Sequence, residues 1–270
     1  MTTVSYLDIL RRTKKNNCGE CGHPTCMAFA VGVAKTGGEP NLCPYIDLAG
    51  LALPEAAADN LSELARERDL ELIRHLKTKI VPLDFAALAE PLGADWSKDQ
   101  PDTLFFSFLG RWVTFSKDTI LLDGTEPEDP RDQILLYNYV ASKGGRRPGN
   151  NWIGLESLPN SISKVKTLET YSENRLADLF TGRETESILH LGRKLGGIPE
   201  PDTAASLGVI IPVLPMVPQY LLFWDHEPED GFAARVKLLF DQHVLDYLDL
   251  ESLIFSAERL ADRFEDFFNE

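Results

Sequence analysis

Cys18-Gly19-Glu20-Cys21-Gly22-His23-Pro24-Thr25-Cys26, followed after sixteen residues by Cys43-Pro44, contains every cysteine of a 270-residue chain. Four soft thiolate donors gathered at one end of an otherwise cysteine-free sequence point to a metal or iron–sulfur site. A disulfide framework fits poorly, because disulfide-dense domains are small and secreted. The stretch Met1-Thr2-Thr3-Val4-Ser5-Tyr6-Leu7-Asp8 lacks the basic leader and apolar run of an export signal, so the expected location is cytoplasmic, with reduced thiols.

Spacing separates the metals. Structural zinc sites usually use two separated knuckles, each a close pair of ligands. Here three cysteines fall within nine residues and the fourth stands alone before Pro44, a three-plus-one pattern that resembles ferredoxin-type ligation. The zinc alternative is a ribbon-like site with His23 as a substitute ligand. Gly19 and Gly22 suit a backbone that must wrap tightly around a cluster. Pro24 is expected to open a helix running from Thr25 to Lys35, which puts Cys26 in the first turn, where the helix dipole favours an anionic thiolate.

The stretch Lys15 to Ala30 closely resembles the cluster module of the large subunit of the corrinoid iron–sulfur protein, and is similar to the cluster segment of the B subunit of the Rnf electron-transport complex. That resemblance implies one [4Fe-4S] cluster held by Cys18, Cys21, Cys26 and Cys43, a choice that spacing alone leaves open against a two-iron cluster. It covers roughly residues 4–50. It also implies low-potential electron transfer in anaerobic metabolism, with a corrinoid protein requiring reductive activation as the candidate redox partner. On this reading the chain is an electron-transfer protein rather than a stand-alone catalyst. A purely structural cluster is the third reading.

Charge is shared unevenly. Residues 1–50 hold five Lys/Arg against four Asp/Glu, so the rest of the chain is one unit more negative than the total of −15. Such an acidic body argues against nucleic-acid binding, which needs clustered positive charge. Arg11, Arg12, Lys14 and Lys15 form a local basic run before Cys18. They are either a solvated helix end or a docking surface that steers an acidic redox partner. The run of 19 uncharged residues from Ser206 to Trp224 approaches membrane-span length. Pro212, Pro215 and Pro218 would interrupt such a helix, so two buried strands with a proline-rich connection are expected instead of a membrane span.

The expected fold is α+β: a small helical cluster module over 1–52, a helical connector over 53–79, and an α+β domain with a mainly antiparallel sheet over 80–270. Within the domain, Thr103–Leu109 and Arg111–Ser116 read as strands around Gly110. Helices are expected from Pro130 to about Ala141, ending at Gly144-Gly145, and over 169–180, 184–195 and 250–268. Further strands are expected at 207–211, 219–224 and 235–240. Tyr137-Asn138-Tyr139, Gly144-Gly145-Arg146-Arg147, Leu222-Phe223-Trp224-Asp225 and Tyr247-Leu248-Asp249-Leu250-Glu251 resemble a domain family that commonly follows such cluster modules in anaerobic bacteria and archaea. This implies an architecture and no mechanism.

The loop Gly144–Trp152 is the best candidate for a second site. Its glycines let backbone approach a ligand, and Arg146 and Arg147 are suited to bind phosphate or carboxylate. An anion-binding enzyme or redox sensor using this loop is therefore the alternative to simple electron transfer. The competing reading is a helix C-cap leading into an exposed basic loop. Asp241-Gln242-His243-Val244-Leu245-Asp246 partly matches the Asp-x-His-x-x-Gly pattern of corrinoid binding but lacks the glycine. No Walker loop, dinucleotide fingerprint or nucleophile elbow is present.

Overall fold

A computed structural model describes residues 5–36, 40–47, 56–226 and 231–269. The chain divides into two units, Met1–Glu71 and Leu72–Glu270.

In the first unit, the Ser5 hydroxyl accepts from the Leu7 N–H and caps the short helix α1 (Tyr6–Arg11). Helix α2 (Cys26–Thr36) begins one residue later than expected: Thr25 supplies the cap, its hydroxyl accepting from Ala28 N–H at 3.0 Å. Pro24 therefore precedes the cap and is not the first helical residue. Cys26 still lies in the first turn. Ile9 from α1 meets Phe29, Ala30 and Val33 from α2, and Cys43 completes this small core.

Helix α3 (Ala56–Ile80) carries the chain from one unit into the other. Expected as a helical connector over 53–79, it ends at Ile80. Residues 53–55 lie outside the described residues. Ile73, Leu76 and Ile80 fall on one helical face and are buried in the core of the second unit.

The second unit is α+β, as expected, but its strands split into two antiparallel sheets. After α4 (Phe85–Leu88) come β1 (Asp95–Ser97), β2 (Gln100–Phe108), β3 (Arg111–Ser116) and β4 (Ile120–Leu122), a four-stranded meander in chain order. The β2–β3 turn is Leu109-Gly110, both at positive φ (49° and 75°). A Cβ on Gly110 would sit 2.4 Å from the Lys194 carbonyl oxygen, so only glycine fits there.

Helix α5 (Pro130–Ala141) matches its expected span. Asp129 caps it, Pro130 occupies its first turn and Gly144 follows its end at φ 82°. Tyr137 and Tyr139 project into the core, while Asn138 Nδ2 donates to Ser252 Oγ at 2.9 Å, which gives the Tyr-Asn-Tyr motif a packing role. Strand β5 (Trp152–Gly154) leads to α6 (Ile162–Leu168), which continues through a π-helical stretch, Glu169–Glu173, into α7 (Asn174–Phe180). This helical run begins seven residues before the expected position. Helix α8 (Thr185–Lys194) follows, then β6 (Ile198–Pro199), β7 (Leu207–Leu214), β8 (Val217–Trp224), β9 (Arg235–Asp241) and α9 (Leu250–Asn269).

The second sheet has the order β5-β9-β8-β7-β6. Its central hairpin corrects the proline-rich connection expected between two shorter strands. Pro212 and Pro218 lie inside β7 and β8, opposite one another, and only Pro215-Met216 forms the turn. The prolines are tolerated because β6 pairs only with Val209 and Ile210, and β9 pairing with β8 stops at Gln219, so neither removes a ladder bond to an outer neighbour. Leu109 N–H donates to Val213 O at 3.0 Å, joining the two sheets at the ends of β2 and β7. Helix α9 places Leu253, Ala257, Leu260 and Phe264 on one face and buries it in the same core.

Among the described residues, no helix is long and apolar enough to cross a membrane. The Ser206–Trp224 run is the β7–β8 hairpin.

Candidate metal centre

All four cysteines are free thiols: Cys18 is exposed, Cys21 half-buried, and Cys26 and Cys43 buried. The loop that carries the first two turns back on itself repeatedly. Lys15, Asn17, Gly19 and Gly22 all have positive φ, and Gly22 N–H donates to Gly19 O at 2.9 Å. Asn17 Oδ1 accepts from Cys26 N–H at 2.9 Å, tying the loop to the start of α2 and satisfying one of the helix's unpaired donors. Cys43 arrives from the short 3₁₀ turn Pro40–Leu42 and packs on Ile9 and Phe29, with Cys21 against the same core.

Around this sulfur-bearing face, Tyr45 is the organising ring. Lys14 Nζ lies 3.3 Å from its centroid, a close cation–π contact. Its hydroxyl is held above its ordinary pKa, first by its hydrogen bond to Glu20 and then by the Glu20 charge, with smaller contributions from burial, Cys18 and Cys43. Tyr45 packs against the core that holds Cys43.

The donor set fits an iron–sulfur group: four uncommitted thiols, with Cys26 buried in the first turn of a helix and Cys43 buried in the module's small core. The thiols do not form a closed cage. Among the described residues, no three His, Cys, Asp or Glu side chains converge as a metal-holding group. His23, the substitute ligand of the zinc alternative, stands edge-on to Phe29 with ring centroids 5.6 Å apart.

The basic run does not present four equivalent cations. Arg11 pairs with Asp8 at 3.4 Å, both exposed, and Arg12 Nη1 donates to the Asp47 carbonyl at 3.1 Å. Lys14 lies on Tyr45, and Lys15 N–H reaches Thr13 Oγ1 at 3.4 Å from a left-handed backbone.

In the second unit, Arg146 and Arg147 both have intramolecular partners. The Arg146 guanidinium grips Asp246 with two bonds, at 2.8 and 2.9 Å, and its backbone N–H adds a third at 3.1 Å. The Arg146 side chain, chiefly, pulls the Asp246 carboxyl down to about 2. Arg147 meets Glu90 at 3.2 Å in an exposed pair. A Cβ on Gly145 would fall 2.3 Å from Asp246 Cβ, so glycine at 145 is what lets the loop close on that carboxylate.

Asp241, buried at the end of β9, accepts from the N–H groups of Gly149, Asn151 and His243. The Asp-x-His stretch therefore fastens two loops. Tyr247 donates its hydroxyl to Arg146 O at 3.1 Å, and Asp249 Oδ1 accepts from Ser252 N–H at the start of α9. His226 closes on the adjacent Asp225 at 2.9 Å.

Two groups have no counterpart in the sequence reading. Glu173, at the end of the π-helical stretch, is buried and pushed above its ordinary pKa by that burial, although it accepts from Leu238 N–H and faces Lys237. Arg111, Asp132 and Arg259 form an ionic cluster in which Asp132 is buried and both arginines are half-buried. The members come from β3, α5 and α9, too far apart along the chain for any spacing rule to connect them.

Residues 15–45 match a family model described as "Putative Fe-S cluster", and the N-terminal segment is an iron–sulfur cluster-binding segment. Residues 84–263, two thirds of the chain, match the Domain of unknown function (DUF3786) model, and the chain belongs to that family. It is 44% identical over 62 residues to the corrinoid/iron-sulfur protein large subunit of Moorella thermoacetica, covering 23% of this chain and 14% of that protein. It is 37% identical over 65 residues to the acetyl-CoA decarbonylase/synthase complex subunit gamma of Methanopyrus kandleri, covering 24% and 14%. Against subunit gamma 2 of that complex from Methanosarcina thermophila it is 38% identical over 66 residues, covering 24% and 13%. The chain thus spans about a seventh of the length of these relatives. No solved structure matches it.

Proposed function

We propose that Cys18, Cys21, Cys26 and Cys43 hold one [4Fe-4S] cluster and that the protein is a one-electron carrier for a partner protein. The observation that carries this reading is the donor set: four uncommitted thiols on one module, Cys43 buried in its core and Cys26, also buried, opening α2. The module is proposed to occupy residues 1–52, with 53–79 as connector and 80–270 as the second domain.

When bound, such a cluster supplies a one-electron couple. The rest is the work of this chain's residues. Cys26 lies at the positive end of α2, where a thiolate is favoured, and Asn17 fixes the approach of the loop to that end. The buried side formed by Ile9, Phe29 and Val33 keeps water from Cys43. Closing the site requires the 15–25 loop to bring Cys18 and Cys21 onto Cys26 and Cys43, and its left-handed residues supply the tight turns. Arg11, Arg12, Lys14 and Lys15 lie at most seven residues before Cys18 and are the proposed docking edge for an acidic partner.

Two relatives are named as subunits of a multi-subunit complex and one as a corrinoid protein subunit, which supports a protein partner and makes a corrinoid protein the first to try. Anaerobic reconstitution should yield about four irons and four sulfides per chain, the stoichiometry of that cluster type. The reduced protein should then reduce a corrinoid protein in stopped-flow mixing, and Cys26→Ser should lose most of its iron. Stoichiometric zinc without broad visible absorption would overturn the cluster assignment. A fully loaded cluster that exchanges electrons with no protein would overturn the carrier role alone.

A further inference from the structure

The second unit contains a cavity of about 470 Å³ between the loop 123–129, the starts of β3 and α5 and the middle of α9, with Arg111 and Arg259 among its lining residues. Asp129, Asp132, Asp262 and Asp266 are already committed to ion pairs. Asp132 receives Arg259 through two bonds, at 2.7 and 2.9 Å. Asp129 is gripped by Arg131, whose Nη2 lies 2.8 Å away. Asp262 takes both Arg259 and Arg175 at 2.8 Å, and Asp266 takes Arg263 at 3.1 Å.

Arg111 is left with a poor share. Its Nη2 reaches Asp132 Oδ2 only at 3.4 Å, and its Nε is buried with no acceptor among the described residues. Burial lowers the Arg111 pKa most, Asp132 opposes this, and Arg263 and Arg259 lower it further. A guanidinium does not give up its proton in the physiological range. The Arg111 guanidinium, 5.4 Å from the Phe108 ring centroid, therefore has one long ion pair and stands on a cavity wall, where an anionic group accepting from its Nη atoms would add a closer partner.

The rim restricts which anion can enter. Asp123, Glu126 and Glu128 line the same cavity, so a phosphate or dicarboxylate would meet several like charges on entering. A ligand with one carboxylate and one ammonium meets a favourable partner at each end. We propose that this cavity is a binding site for a small zwitterion of the α-amino acid class, its carboxylate on Arg111 and its ammonium toward Glu126 and Glu128. The volume is within the usual range for small-molecule sites. The site lies wholly within the second unit and does not rest on cluster binding.

The test is calorimetric titration of the full-length protein with the twenty amino acids, their deaminated carboxylates, their decarboxylated amines and inorganic phosphate. At least one amino acid should bind one-to-one, with each analogue that lacks one charged end weaker by about tenfold, as expected for losing a charged hydrogen-bond partner. Arg111→Gln should weaken the amino acid by about tenfold or more. Glu128→Gln, at an exposed position, should weaken the amino acid but leave the deaminated carboxylate unchanged or tighter, which gives a result even where the Arg111 variant fails to fold. Absence of binding by every amino acid at millimolar concentration, phosphate binding more tightly than any of them, or unchanged affinity in Glu128→Gln or in folded Arg111→Gln would overturn the proposal.

Discussion

Replacing Asp132 with Asn keeps the shape of the side chain and removes its charge. The Asp132 side chain is 3% exposed and the Arg259 side chain 16%, and Arg111 and Arg263 stand nearby. Breaking such a pair leaves cations without their shared counter-charge in a low-dielectric setting, which costs about 3–5 kcal/mol. The partial exposure of Arg259 argues for the lower end. The more exposed Arg131–Asp129 pair, by contrast, contributes roughly 0–1 kcal/mol as an ion pair.

Equilibrium urea unfolding followed by tryptophan fluorescence reads this unit alone, because Trp96, Trp112, Trp152 and Trp224 all lie after residue 71. With a urea m-value of about 2–3 kcal/mol per molar, Asp132→Asn should lower the midpoint by about 1 M or more without changing the slope. Combining Asp132→Leu with Arg259→Met should recover a large part of the loss, since an apolar pair removes both the charge and its desolvation cost. A midpoint shift below about 0.3 M in Asp132→Asn would correspond to less than about 1 kcal/mol and refute the reasoning.

A chain beginning at Leu53 should fold without iron, showing mixed helix and strand by circular dichroism and a cooperative melt; a disordered spectrum would mean that the first 52 residues belong to its core. Changing Arg11, Arg12, Lys14 and Lys15 to Gln should slow electron exchange with the partner at low ionic strength and leave iron content unchanged, with the difference vanishing in high salt. Equal rates at low salt would make the run a solvated helix end. Asp246 has a folded pKa of about 2, below its unfolded value, so its stabilising contribution is present above about pH 4 and is lost as pH falls through 2. The stability difference between the unmodified protein and Asp246→Asn, measured by urea unfolding across pH 2 to 7, should follow that curve. A difference independent of pH would show that the carboxylate charge is not what holds the loop.

Helix α5 was legible because its signals are local: Asp129 caps, Pro130 suits the first turn, and Gly144 takes the left-handed conformation after the end. The β2–β3 hairpin was legible around Gly110 for the same reason. The strands β1, β4, β5 and β6 are two or three residues long, too short for any alternation to register. The prolines of β7 and β8 misled because their tolerance depends on where β6 and β9 stop, a fact about neighbours. At the candidate centre the four cysteines were evident from spacing, whereas the roles of Asn17 as a tie to α2 and of Tyr45 as the ring beneath Lys14 were not.

Read alone, the amino-acid sequence determined what depends on residues close along the chain: the thiol donor set, the helix caps, the α+β character and the acidic body. Tertiary structure alone decided which strands share a sheet, that Arg146 and Arg147 are held by Asp246 and Glu90, and that Arg111, Asp132 and Arg259 surround one cavity. The reason is physical. Capping and turn geometry are settled over a few bonds, while burial and ion pairing join residues that only the completed core brings together.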